Sequence, residues 1–224
     1  MSATPFLNRR EAGRHLAAAL LGYARSAGLL VLGLPRGGVP VASEVARALD
    51  APLDVLVVRK LGVPGHEELA MGAVASGGVT VLNHELIEQL GISQGEIDRV
   101  TTRELAELTR REQAYRGDAP HADMTGRTVI LVDDGLATGA TMSAAVAAVR
   151  AMRPHRVVVA APVASRDAMR LLRHSADDCV SVFEPEPFHG VGLWYDDFAQ
   201  TTDLEVRQLL AASHQRPLAQ ALTS

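Results

Sequence analysis

Five short, mainly apolar runs constrain this chain most, at positions 29–34, 53–58, 128–132, 156–163 and 179–183. Each is too short for a buried helix. Segments with helical spacing separate them. Runs that are apolar on both faces need cover on both sides, and their alternation with helices gives an α/β chain with a mainly parallel central sheet. Helical spacing marks 9–27, through Leu16, Ala17, Leu20, Leu21 and Ala24, and also 39–49, 83–90, 139–152 and 165–174. The stretch 93–115 opens with Ser93 and Glu96, the pattern of a capping box. Residues 61–70 have no period, and 70–76 with 79–82 read as a hairpin about Gly77 and Gly78.

Length and composition narrow the class. A chain of 224 residues suits one α/β domain with an elaboration, or two very small domains. It is 47% hydrophobic and 21% charged, with a net charge of −4 and both signs interspersed, so no basic stripe points to nucleic acid. Cys179 is the single cysteine, which excludes an intramolecular disulfide and reads as a buried strand thiol. No apolar run reaches membrane-span length, and residues 1–10 lack a signal-peptide core, so the expected compartment is the cytoplasm.

In a parallel sheet, ligands sit beyond the carboxyl ends of the strands. The segments that follow those ends are 35–40, 59–70, 133–141 and 184 onward. One of them carries a strong signal. The run 129–132 delivers Asp133 and Asp134, and then Ala137, Thr138, Gly139, Ala140 and Thr141 turn into a helix. Successive backbone N–H groups in such a turn form an anion site at a helix N-terminus, with Thr138 and Thr141 as hydroxyl donors. The segment lacks the Gly-Lys-Ser/Thr of a nucleotide loop. Two acids beside a phosphate suit a neutral group attached to it, such as a pair of sugar hydroxyls.

With Val129-Ile-Leu-Val-Asp-Asp-Gly-Leu-Ala-Thr-Gly-Ala-Thr141, the sequence resembles the type I phosphoribosyltransferases. The resemblance covers most of the chain and points to an uncharacterised bacterial subgroup. It implies an α/β fold with a parallel sheet flanked by helices, a small hood and a flexible loop. It also implies that Asp133 and Asp134 hold the ribose hydroxyls of 5-phosphoribosyl 1-pyrophosphate (PRPP), and that 137–141 hold its 5′-phosphate.

Two further loops gain meaning from that resemblance. Alone, Arg36, Gly37 and Gly38 read equally as a strand-to-helix turn with a surface arginine; beside a phosphoribosyl loop they read as the pyrophosphate loop. The resemblance also implies a cis peptide bond between Pro35 and Arg36. Arg59, Lys60 and His66 enter a mobile-looking stretch and could neutralise departing pyrophosphate. The expected division is a core at 1–183 that includes the loop and a helical insertion (59–117), a hood segment and helix at 184–212, and a tail at 213–224. Trp194 and Tyr195, with Phe198, stand out because aromatics are only 4% of the chain. They plug a small subdomain or stack on a base. Other patterns fall short: His84 to Glu88 begins like a zinc-protease helix but lacks the second His, and Asp177-Asp178 and Asp196-Asp197 have no phosphate loop.

The implied reaction displaces pyrophosphate from the sugar by a ring nitrogen of a base. Asp133, Asp134, Arg36 and Lys60 are its expected catalytic residues. Magnesium rides on PRPP and has no direct protein ligand set, although it would lie near Asp133 and Asp134. Relatives imply a homodimer. The competing class is a non-catalytic sensor of PRPP or nucleotides, which could lose the pyrophosphate loop that Arg36 and Lys60 represent here.

Overall fold

The computed structural model describes residues 6–117 and 119–214. Its centre is a parallel sheet of β1 (Leu30–Gly33), β2 (Leu53–Val55), β6 (Thr128–Val132), β7 (Arg156–Val163) and β8 (Asp178–Phe183). Their order is β2-β1-β6-β7-β8, with every pairing parallel. A second sheet, antiparallel and three-stranded, joins β3 (Val58–Val63), β4 (His66–Ala75) and β5 (Val79–Leu82).

The central strands are buried along both faces, as their uninterrupted apolar character requires. Alternate residues divide between two layers. Val31, Ile130, Val132, Val158 and Ala160 pack in one core with α1 (Arg9–Ala19), α2 (Gly38–Leu49) and α7 (Asp203–His214). Leu32, Leu131, Val159 and Ala161 pack in the other with α5 (Ala140–Ala151) and α6 (Arg166–Leu172). Two more helices, α3 (His84–Leu90) and the 23-residue α4 (Gln94–Arg116), follow the ribbon. The expected capping box of α4 is present, and its last residue grips β2: Arg116 Nη1 lies 2.9 Å from the buried carboxylate of Asp54.

Three expectations are corrected. The helix expected over 9–27 stops at Ala19 and gives way to a 3-10 turn, Leu21–Tyr23, followed by left-handed Gly28. The strand expected over 53–58 divides: Leu56 N–H still bonds Gly33 of the main sheet, whereas Val57 pairs with Ser76 at the base of the ribbon. The aperiodic stretch 61–70 is largely regular β3–β4 ribbon with bulges about Gly62. At the C-terminal end, Ser213 and His214 continue α7, while the rest of the expected tail lies outside the described residues.

Candidate phosphoribosyl site

Hydrogen-bonded neighbours β1 and β6 end side by side, and each runs into a helix that starts on glycine. Gly37 is the N-cap of α2 and Gly139 that of α5; neither start has a side-chain cap bond. Five other helices are capped by side chains, from Asn8, Asn83, Ser93, Ser165 and Thr202. At α2 the N–H groups of Gly38 and Val39 are taken by the carbonyls of Leu34 and Arg36, and Pro40 has none. At α5 the N–H of Ala140 meets Thr138 Oγ1 at a long 3.4 Å, so the turn before α5 is the better placed of the two to hold an anion.

Glycine is required at these starts for different reasons. Gly139 has φ +76°, in the left-handed region. Gly38 has no room for a side chain, because a Cβ would meet Val132 O at 2.6 Å and Asp133 Cα at 2.8 Å. A Cβ on Gly37 would overlap the Asp134 carboxylate. The loop 35–38 is thus pressed directly against the two acids, and its Pro35–Arg36 bond is cis, as the resemblance implied.

The two acids have different surroundings. Asp133, with Thr138, Thr141 and Val191, lines a recess of about 200 Å³ over the 137–141 turn. Burial first, and then the charge of Asp134, hold its carboxyl well above the usual carboxylate range. Asp134 is not among the residues that line that recess. Its Oδ2 accepts from Arg9 Nε at 2.8 Å, and its backbone carbonyl accepts from the Tyr195 hydroxyl at 2.5 Å. The turn itself is braced by Ser165, whose hydroxyl donates to Ala137 O at 2.6 Å while capping α6.

The remaining expected residues are dispersed. Arg36 Nη1 lies 3.7 Å from Asp203, with both side chains substantially exposed. Arg59 is engaged elsewhere: its Nε and Nη2 bond the buried carboxylate of Glu104 on α4, at 2.9 and 2.6 Å. Lys60 is exposed on β3, and His66 is exposed where β4 begins. Trp194 stacks on Phe183, with centroids 6.3 Å apart. Tyr195 is buried between Phe6 and Phe198.

The sequence of residues 6–197 matches the phosphoribosyl transferase domain family. The chain belongs to that family. Proteins from two strains of Mycobacterium tuberculosis, CDC 1551 and H37Rv, named provisionally as phosphoribosyl transferases, are each 45% identical over 209 residues. That alignment takes in 93% of this chain but 47% of each relative, so the chain spans about half the length of the curated relatives it matches. A crystal structure from Thermus thermophilus superposes with a TM-score of 0.86 at 45% identity, covering 92% of this chain and 98% of that one.

Membership in the phosphoribosyl transferase family bears out both the resemblance read from 129–142 and the parallel α/β fold it implied. It does not explain Arg9. That residue sits in a polar stretch with no motif, and its partner lies 125 positions away. No local signal in the sequence marks it.

Proposed function

We propose that this chain transfers the 5-phosphoribosyl group of PRPP to a ring nitrogen of a nitrogenous base and releases pyrophosphate. One observation carries the reading: two glycine-started helices open side by side, with two carboxylates between them. In this reading Ala137, Thr138, Gly139, Ala140 and Thr141 hold the 5′-phosphate. Asp133 and Asp134 hold sugar hydroxyls, and Arg36, Gly37 and Gly38 meet the pyrophosphate. Lys60 and His66 complete its cover from the ribbon, with Arg59 behind them, and the base meets the Trp194–Tyr195 segment.

Magnesium enters as part of the substrate. Two carboxylates are enough for an ion held chiefly by pyrophosphate oxygens and water. Orientation and electrostatics do the rest. Negative charge grows on pyrophosphate as its bond to the sugar breaks, and Arg36 and Lys60 supply the compensating charge. The exposed Arg36–Asp203 contact is weak enough to exchange, since such pairs contribute only ~0–1 kcal/mol.

The test incubates the protein with magnesium PRPP and a panel of purine, pyrimidine and pyridine bases, with products read by mass spectrometry. Nucleotide and pyrophosphate are the expected products. Arg36→Ala and Lys60→Ala should then lower kcat more than they raise KM. The engagement of Arg59 by Glu104 favours a second reading, a non-catalytic sensor of PRPP or nucleotide. Tight binding with no product from any base would select it. By the same resemblance we propose a cytoplasmic homodimer, so light scattering should return twice 23.8 kDa. Among the described residues no helix is long and apolar enough to cross a membrane.

A further inference from the structure

Arg9 is held on every side. Its Nε donates to Asp134 Oδ2 at 2.8 Å, and its Nη1 donates to the carbonyl of Ala199 at 2.6 Å. Its guanidinium lies over the Phe198 ring, 3.9 Å from the centroid. The side chains of Arg9 and Asp134 are only 11% and 15% exposed. A guanidinium fixed at three points has little rotamer freedom left to lose when it orients a partner.

The contact leaves Asp134 able to work. Arg9 meets the carboxylate through one N–H, while a carboxylate offers about four lone-pair sites. The backbone of the same residue is fixed independently: its N–H donates to Asp133 Oδ1 at 2.9 Å, and its carbonyl accepts from Tyr195. Asp134 is thus anchored from α1 on one side and from residues 195–199 on the other. Arg9 also offsets the repulsion between two adjacent acids at one strand end.

On the reading that Asp134 binds a sugar hydroxyl, we propose that Arg9 is a positioning residue for the sugar. It acts through Asp134 and couples the Phe198–Ala199 segment to recognition of the ribose rather than of the phosphates. Its effect is therefore confined to ligands that carry the sugar, and it disappears when Asp134 can no longer respond.

Calorimetry with magnesium PRPP and with magnesium pyrophosphate, which lacks the sugar, tests this. Arg9→Gln should weaken PRPP binding by about fivefold or more and leave pyrophosphate within about twofold; in an Asp134→Asn background the same change should shift PRPP affinity by less than about twofold. Arg9→Lys should recover most of the loss, because one N–H suffices for Asp134. If Arg9→Gln does not fold, Phe198→Leu replaces it: this removes the stacking platform and should give a smaller loss with the same dependence on Asp134. Equal weakening of both ligands, or a loss that persists beside Asp134→Asn, overturns the proposal. A silent Arg9→Gln beside an effective Asp134→Asn sinks the Arg9 role alone. An Asp134→Asn that leaves PRPP binding intact sinks the sugar-acid reading, and the Arg9 role with it.

Discussion

The helices of this molecule begin in two ways. Where α1, α3, α4, α6 and α7 start, an Asn, Ser or Thr side chain accepts from first-turn N–H groups. Where α2 and α5 start, a glycine stands at the N-cap and has no side chain to accept. A cap satisfies donors that would otherwise cost stability. At α2 the carbonyls of Leu34 and Arg36 take the first N–H groups, and at α5 Thr138 Oγ1 takes one at a long 3.4 Å. In the proposed function a bound phosphate is the further acceptor at α5, and both glycine starts flank the acids. In the proposed function, this difference separates residues that serve the fold from residues that serve the ligand.

The largest effect should come from filling a glycine start. Gly38→Ala puts a methyl against Val132 O and Asp133 Cα, both backbone atoms that cannot give way cheaply. We expect ~2–3 kcal/mol of lost stability in denaturant titrations, as for an overpacked site, and PRPP binding should fall with it. A variant as stable as the parent with full affinity would remove the distinction at α2.

Next come the acids. Changing both Asp133 and Asp134 to Asn should weaken PRPP binding more than tenfold, at least ~1.4 kcal/mol by calorimetry. Stability should move the other way for Asp133→Asn alone. The fold raises the Asp133 pKa, so it favours the protonated acid. Stability linked to this group is therefore complete below the ordinary carboxylate value and declines as pH rises through the folded value. Asn removes that decline. Its melting temperature should exceed that of the parent at pH 7, and the gap should close below about pH 4, where an ordinary carboxyl takes up its proton.

Ser165 tests the boundary between the two classes, since it caps α6 and also holds the phosphate turn through Ala137. Ser165→Ala should cost ~1 kcal/mol of stability, as a lost cap does, with a measurable drop in phosphate affinity. Ser93→Ala, at the capping box of α4, should cost a similar ~1 kcal/mol and leave PRPP affinity unchanged. If Ser93→Ala alters affinity as much as Ser165→Ala, the two kinds of helix start do not divide the labour.

Legibility in the sequence followed the same lines. β1, β6 and β7 were plain because strands buried on both faces need continuous apolar runs. The phosphate turn was plain because small residues, threonines and two acids coincide within a dozen positions. The β3–β4 ribbon was not. Its inward residues include Leu61, Val63, Met71 and Ala73, but glycines stand between them and bulges about Gly62 break the alternation that marks a strand. The Arg59–Glu104 and Arg9–Asp134 pairs were also hidden. Each joins residues far apart in the chain, and nothing local distinguishes such an arginine from a solvated one.

The clamp on Asp134 also sets a timetable. Arg9 and its carbonyl partner at Ala199 are 190 positions apart. During synthesis at ~5–20 residues per second, the second half of the clamp emerges ~10–40 s after the first. By then β6, which leads into both acids, has already been available to pair. Contacts of such long sequence separation close late, because they bear the entropy of a large loop. A nascent chain therefore completes the 133–141 turn before Asp134 is fully held, and if Asp134 binds the ribose as proposed, that recognition is among the last properties it acquires.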